Sequence, residues 1–169
     1  MNESVYYNSP IGILQISNSG NAISELSFVN KHGSVKIKDD EAVFIKPASA
    51  SIKKCISQLD KYFAGQLFDF QLQLDQAGTP FQQSVWSELL KISYGRTESY
   101  LALSKRIGNI KAIRAVGTAN GKNNIAIIVP CHRIIGSNGS LVGYGGDLWR
   151  KKWLLEHEAK YANGVQTLF

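Results

Sequence analysis

Cys131 and His132 stand side by side in Pro130-Cys131-His132-Arg133, a nucleophile beside a base. Cysteine is the strongest nucleophile among ordinary side chains, but at a pKa of about 8.5 only a few per cent is thiolate at neutral pH. The positive neighbours His132 and Arg133 favour the anion. Geometry limits how the proton moves. On an extended segment successive side chains point to opposite faces, so Cys131 and His132 need a bridging water or a turn begun at Pro130. A buried cysteine beside an unrelated histidine would give the same tetrapeptide.

A carboxylate for the imidazole can come from further along. Asp147 can cap a helix over about 148–159, on which Leu148, Leu155 and Glu158 share one side. A bare carboxylate beside an apolar stripe needs a partner, and a histidine oriented by Glu158 would complete a Cys–His–Glu arrangement. A glutamate in water at a frayed helix end is the plainer alternative. Trp149 and Trp153 on this helix read as packing residues. Two glycine-rich runs, Gly136-Ser137-Asn138-Gly139 and Gly143-Tyr144-Gly145-Gly146, separate the tetrapeptide from the helix. Such a loop turns sharply or brings its backbone against a flat ligand, with Tyr144 as an aromatic wall.

The elements that must position these residues fall into two groups. In the first half, β-like stretches at Ile11–Ile16 and Ile23–Phe28 flank turn residues Asn18-Ser19-Gly20-Asn21. Ile52, Cys55, Ile56, Leu59, Tyr62 and Phe63 keep helical spacing up to Gly65, which places Cys55 in the core. Phe68, Phe70, Leu72 and Leu74 alternate as in a half-buried strand. Gln76-Ala77-Gly78 reads as a linker. Thr79, Pro80 and Gln82 then form a capping box for a helix over about 80–92, with Phe81, Val85, Trp86, Leu89 and Leu90 as its buried stripe. Two short helices follow, about 100–107 ending at Gly108 and a second capped by Asn109 through Ile110, Ile113 and Val116. This is a helix-turn-helix outline. Ala112, Ala115, Gly117 and Ala119 are too small to read base edges but let a backbone approach a nucleic acid closely; Arg114 is the long exception. Ile125–Val129 reads as a buried strand leading into Pro130.

Composition narrows the class. The 169 residues suffice for one domain or two small ones. No apolar run reaches membrane-spanning length, and the start lacks a secretory signal. Two cysteines make a poor disulfide framework and point to a reducing cytoplasm; His32, His132 and His157 show no zinc-like spacing, and no metal or cofactor is expected. Residues 1–79 carry seven Lys/Arg against eight Asp/Glu, and residues 80–169 carry twelve against five. A basic second half suits a polyanionic partner, although a solvated basic surface would look the same.

The ordered set Arg114-Ala115-Val116-Gly117, Asn123, Ile128-Val129-Pro130-Cys131-His132-Arg133-Ile134-Ile135, Gly143-Tyr144-Gly145-Gly146, Trp153-Leu154-Leu155 and His157-Glu158 resembles the methylated-DNA–protein-cysteine methyltransferases. Ser9-Pro10-Ile11-Gly12-Ile13-Leu14 and Ile23-Ser24-Glu25-Leu26-Ser27-Phe28 agree more loosely. The resemblance implies an α/β ribonuclease-H-like domain at 1–75, a linker at 76–79 and a mostly α winged-helix-like domain at 80–169. It further implies a monomer that takes the alkyl group of O6-alkylguanine, and of O4-alkylthymine, from double-stranded DNA irreversibly onto Cys131. His132 would accept the thiol proton through water and Glu158 would orient the imidazole. Asn123 would tie the recognition-helix region to the active-site turn. Arg114 would fill the stack from the minor groove, and Tyr100 would assist base rotation and bond guanine N3. Asn109 and Ser137 would hold the DNA backbone, while Tyr144, Gly145 and Ile134 would line the pocket.

Two positions depart from the family pattern: Asn124 stands where proline usually follows the hinge asparagine, and Ile110 replaces a frequent proline at the start of the recognition helix. Proline at the first would stiffen the turn. Three rivals remain. A non-transferring alkyl-DNA binder should lack the cysteine, a helix-turn-helix regulator should carry base-reading side chains, and a cysteine hydrolase needs a direct Cys–His contact.

Overall fold

In the computed structural model, residues 2–31, 34–141, 144 and 147–162 are described, with backbone only at 34 and 35. The chain divides into two compact units, residues 1–77 and 78–169.

The first unit is built on a three-stranded antiparallel meander, β1 (Ser4–Ser9), β2 (Gly12–Ser19) and β3 (Ala22–Phe28). Register sets Val5 opposite Ile16, Tyr7 opposite Leu14, Leu14 opposite Phe28 and Ile16 opposite Leu26. The two-residue period puts these apolar side chains on one face, and all are buried. Helix α1 (Ala50–Phe63) covers that face with Ile52, Cys55, Leu59 and Tyr62. Cys55 is a core residue, as its spacing suggested, and burial pushes its thiol up to about 12. A short hairpin, β4 (Asn30–Lys31) and β5 (Ser34–Val35), follows the meander. β1 lies outside the two β-like stretches expected from the sequence. The strand expected at Phe68–Leu74 does not form. Only Ile23 and Leu74 make a bridge, Phe68 is exposed, and the Gln58 side chain takes both backbone groups of Gln71 that a neighbouring strand would need.

The second unit is mostly helical. Helix α2 (Pro80–Leu89) starts with the expected capping box, Thr79 and Gln82 exchanging hydrogen bonds. Its buried residues are Val85, Trp86 and Leu89; Phe81 and Leu90, expected in that stripe, are exposed. Gly78 is required by packing, because a Cβ there would lie 2.4 Å from the Trp86 ring. After β6 (Glu98–Ser99), helix α3 (Tyr100–Ile107) stops at Gly108, whose φ of +90° only glycine adopts freely. A 3-10 turn at Ile110–Ala112 leads into α4 (Ile113–Gly121). Helices α2, α3 and α4 pack together, and Trp86 Nε1 donates to the Ala119 carbonyl at 2.9 Å. Val116, Ala119 and Asn120 are buried, whereas Ile110 and Ile113 are exposed.

The last element, α5 (Leu148–Ala162), packs against the turn that carries Cys131. Its buried face is not the one expected. Leu148 is 40% exposed and Leu155 only partly buried, while Arg150, Lys151, Leu154, His157 and Glu158 face inward. Asp147 is buried and pairs with Arg150 at 2.8 Å. Trp149 is exposed rather than packed, with the Arg150 guanidinium over its ring, and Trp153 stacks on His157. Among the described residues no helix is long and apolar enough to cross a membrane.

Candidate active site

Ile125, Ile127, Ile128 and Val129 are buried, but the segment is not a strand. It forms a tight turn in which Ile128 N bonds the Ala126 carbonyl and Val129 N the Ile125 carbonyl. Ile127 sits at φ +72°, a conformation that costs a β-branched residue roughly 1–3 kcal/mol. Asn123 holds this strained turn. Its Nδ2 donates to the Val129 carbonyl at 2.8 Å and the Ile125 carbonyl at 3.4 Å, and its Oδ1 accepts from Ile125 N at 3.1 Å. These bonds fasten the turn without the proline that Asn124 replaces.

Pro130, at φ −83° and ψ 64°, swings the chain into a 3-10 turn at Cys131–Arg133. With about three residues per turn, neighbouring side chains fan out rather than oppose. Of the two routes left open by the sequence, the turn is present. Strand β7 (Ile134–Ile135) leaves it and pairs in parallel with β6, Glu98 opposite Ile134 and Ser99 opposite Ile135. Ser99 caps α3 by accepting from Ala102 N at 3.0 Å. The short ladder therefore fixes the start of α3, whose first residue is Tyr100, against the strand that leaves the Cys131 turn. Gly117 on α4 faces the Tyr100 ring, where a Cβ would lie 3.7 Å from Cε1.

His132, Glu158 and Arg133 form one buried cluster. His132 Nε2 lies 2.7 Å from Glu158 Oε2. Arg133 donates to the same carboxylate through Nε at 2.8 Å and Nη2 at 3.0 Å, and Gly95 N donates at 3.3 Å. The remaining arm of Arg133 donates to the Ile92 carbonyl at 2.6 Å. Burial alone would raise the Glu158 pKa, but the charge and hydrogen bond of His132, then those of Arg133, outweigh it and hold the carboxyl well below the usual range. Burial lowers the His132 pKa; Glu158 opposes that shift, and Arg133 and Lys151 add to it. At neutral pH the cluster is thus an ionised Glu158, a charged Arg133 and a neutral imidazole. An ionised carboxylate only accepts, so His132 carries its hydrogen on Nε2. The lone pair is left on Nδ1, which is enclosed without a hydrogen-bond partner. A ring nitrogen in that state can accept a proton.

Cys131 is 7% exposed and free of any disulfide. Tyr100, Tyr144 and Lys151 lie within its electrostatic reach. Burial pushes both phenols up, so each remains a neutral donor. Tyr144, at φ +67°, has an enclosed hydroxyl with no partner. Lys151 is fully buried, and Nζ donates to the carbonyl of Ile134, itself fully buried. Burial brings the Lys151 ammonium down to about 8. Gly145 lies outside the described residues.

The remaining predicted residues are all exposed. Arg114 is exposed on α4, with no side-chain partner among the described residues. Asn109 is exposed and caps the following turn by accepting from Lys111 N at 3.1 Å. Ser137 is exposed after β7. Among the described residues no group of three His, Cys, Asp or Glu side chains could hold a metal ion.

Comparison with known proteins gives this arrangement a family. Residues 80–160 match the 6-O-methylguanine DNA methyltransferase DNA-binding domain, and residues 4–76 match the ribonuclease-like domain of the same enzymes. The chain belongs to the 6-O-methylguanine DNA methyltransferase family. A methylated-DNA–protein-cysteine methyltransferase of Mycobacterium leprae is 45% identical over 161 residues, covering 95% of this chain and 94% of the relative. One from Methanosarcina acetivorans is 42% identical, covering 90% and 95%. The crystal structure of Mycobacterium tuberculosis O6-methylguanine methyltransferase superposes with a TM-score of 0.80 at 41% identity, covering 95% and 94%. A structure of Mycobacterium tuberculosis OGT in complex with DNA gives 0.79 at 43%, covering 92% of each chain. The α/β first unit and mostly helical second unit are those of this methyltransferase family.

Sequence reasoning missed three polar residues of this centre. Arg133 was read as a neighbour of the thiol, but its guanidinium turns to Glu158. Lys151 lies seven residues before Glu158, two helical turns along the same face of α5, and that spacing was an available signal. Asn120 lies four residues after the buried Val116, and its Nδ2 donates to the Cys131 carbonyl at 3.4 Å.

Proposed function

We propose that this protein repairs double-stranded DNA by moving the alkyl group from O6 of guanine to the sulfur of Cys131, once per chain. The observation that carries this reading is the buried His132–Glu158–Arg133 cluster beside Cys131, with its unprotonated Nδ1. The thiol proton passes to His132, through water if the two do not touch, and the thiolate attacks the alkyl carbon. The S–C bond forms as the C–O6 bond breaks. Guanine leaves with that electron pair and takes a proton back at N1. Glu158 and Arg133 keep the imidazole in the right tautomer, and Glu158 balances its transient charge. Tyr100, held neutral, donates to guanine N3. The thioether product has no easy leaving path, so Cys131 stays alkylated. The proton and electron balance closes without a cofactor.

The helix pair α3–α4 presents Arg114 to the minor groove, where the guanidinium replaces the base swung out of the stack. Asn109 and Ser137 hold the backbone, and Tyr144, Gly145 and Ile134 border the pocket. O4-alkylthymine is the second substrate on this reading. Residues 80–169 carry the chemistry and the DNA contact, with the boundary at 76–79. Two unbridged cysteines suit a monomer working in the reducing cytoplasm. The test is stoichiometric. With O6-methylguanine duplex in excess, restored guanine should plateau at one per chain, and continued turnover would overturn the reading. Cys131→Ser should bind the duplex and restore nothing.

A further inference from the structure

Asn138 and Gly139 lie at the tip of the turn that follows β7, outside the chemistry above. Gly136 N donates to the Ser140 carbonyl at 2.9 Å and Gly139 N to the Gly136 carbonyl at 2.9 Å, which closes the turn. Asn138, Gly139 and Ser140 are exposed. Asn138 Oδ1 accepts from Ser140 N at 3.0 Å and from Ser140 Oγ at 2.6 Å. A side chain bonded to the backbone N–H two residues on is folded back over the peptide link between them. The amide carbon of Asn138 therefore lies over its own link to Gly139. At Gly139, with φ +83°, open space stands where a Cβ would be.

This arrangement prepares a reaction of the chain with itself. The Gly139 nitrogen attacks Cγ of Asn138, and the N–Cγ bond forms as the Cγ–Nδ2 bond breaks. Ammonia leaves with that electron pair and the Gly139 N–H proton. Charge that develops on Oδ1 meets the Ser140 donors already in place, as in an oxyanion hole. Water then opens the cyclic imide at either carbonyl and leaves an aspartate or its β-linked isomer. The Gly139–Gly136 bond must open first, which costs little in an exposed turn. We propose that Asn138 is a site of spontaneous deamidation, and that the negative charge left beside Ser137 weakens the hold on DNA while the Cys131 centre stays intact. The effect on DNA rests on the alkyl-transfer reading; the modification does not.

The dipeptide alone does not select this site. The chain has three Asn-Gly pairs. Asn163-Gly164 lies outside the described residues. Asn120-Gly121 lies within α4, where Asn120 is 5% exposed and its Nδ2 donates to the Cys131 carbonyl at 3.4 Å. Helical backbone and a buried side chain keep that amide from its neighbour's nitrogen.

The experiment ages the full chain at neutral pH over days and maps its peptides by mass spectrometry. Aspartyl and isoaspartyl forms should accumulate at 138 and not at 120, and in urea both sites should react. An unmodified Asn138 overturns the proposal, as does Asn120 reacting equally fast in the folded chain. The consequence is measured on Asn138→Asp, which carries the charge from the start. It should bind duplex about three- to tenfold more weakly than fresh wild type at moderate salt, a deficit that narrows as salt rises. Its reaction with free O6-alkylguanine base should match wild type. Asn138→Gln, aged alongside, should keep its duplex affinity. Unchanged duplex binding by Asn138→Asp, or an equal loss on the free base, overturns the weakened hold on DNA. Fresh wild type that transfers from neither duplex nor free base contradicts the repair reading instead.

Discussion

Replacing Glu158 by Gln keeps the side chain's shape and removes its charge. Glu158 accepts hydrogen bonds from His132, from two nitrogens of Arg133 and from Gly95, and its side chain is 1% exposed. Arg133 has only donors, and neutral His132 donates from Nε2. A glutamine NH2 would therefore face another donor whichever way the amide turned. The Arg133 guanidinium, buried beside it, would keep the Ile92 carbonyl and one bond to the amide oxygen but lose its counter-charge. Removing one member of a buried ion pair costs about 3–5 kcal/mol. At roughly 2–4 °C per kcal/mol for a chain of this size, the melting midpoint of Glu158→Gln should fall by about 6–20 °C. The imidazole also loses its fixed tautomer, so transfer should slow by about 10²–10⁴-fold, the usual contribution of a positioned acid–base group. Single-turnover kinetics on O6-methylguanine duplex, well below the variant's midpoint, measures the second effect apart from the first. A variant rate within about threefold of wild type would refute the role given to the His132–Glu158 pair. An unchanged midpoint would refute the buried ion pair.

Arg114→Ala should slow repair in duplex by roughly 10- to 100-fold, because flipping a base costs a few kcal/mol that the guanidinium helps to offset. Reaction with a free O6-alkylguanine base should be far less affected, and equal losses on both would remove the stacking role. Lys151 gives a pH signature. Burial lowers its pKa to about 8 from 10.5, so between those values the unfolded chain binds more protons than the folded one. Stability should therefore gain from this group as pH rises through that window, approaching about 1.4 kcal/mol per unit at most. Denaturant midpoints of the wild type and Lys151→Met across that range isolate the effect, because the opposite alkaline loss from buried Cys55 is common to both. Parallel pH curves would show that Lys151 does not titrate early.

Legibility in the sequence followed the range of the forces involved. Local signals were readable: the Thr79–Gln82 box, the stop at Gly108 and the alternation in β2 and β3 all lie within a few residues of what they control. The tetrapeptide at Cys131 and the carboxylate at Glu158 were found because their residue types are rare in that pattern. What failed depended on distant partners. Ile125–Val129 has a strand's composition, but the side chain of Asn123 bonds its carbonyls and folds it into a turn. Phe68–Leu74 alternates like a strand, yet Gln58 occupies its backbone. The inward face of α5 was misread because apolar spacing was taken as the guide. Arg150, Lys151 and Glu158 are buried there because Asp147, Ile134, His132 and Arg133 supply their hydrogen bonds, and a hydrophobicity pattern cannot register such compensation.

The central claim is that the sulfur of Cys131, and no other, receives the alkyl group. Peptide mapping by mass spectrometry after reaction with O6-methylguanine duplex tests it directly. One methyl group should appear on the peptide containing Cys131 and none on that containing Cys55, whose thiol lies in the core. Restored guanine with an unmodified Cys131 peptide, or a methyl group on Cys55, would contradict the account.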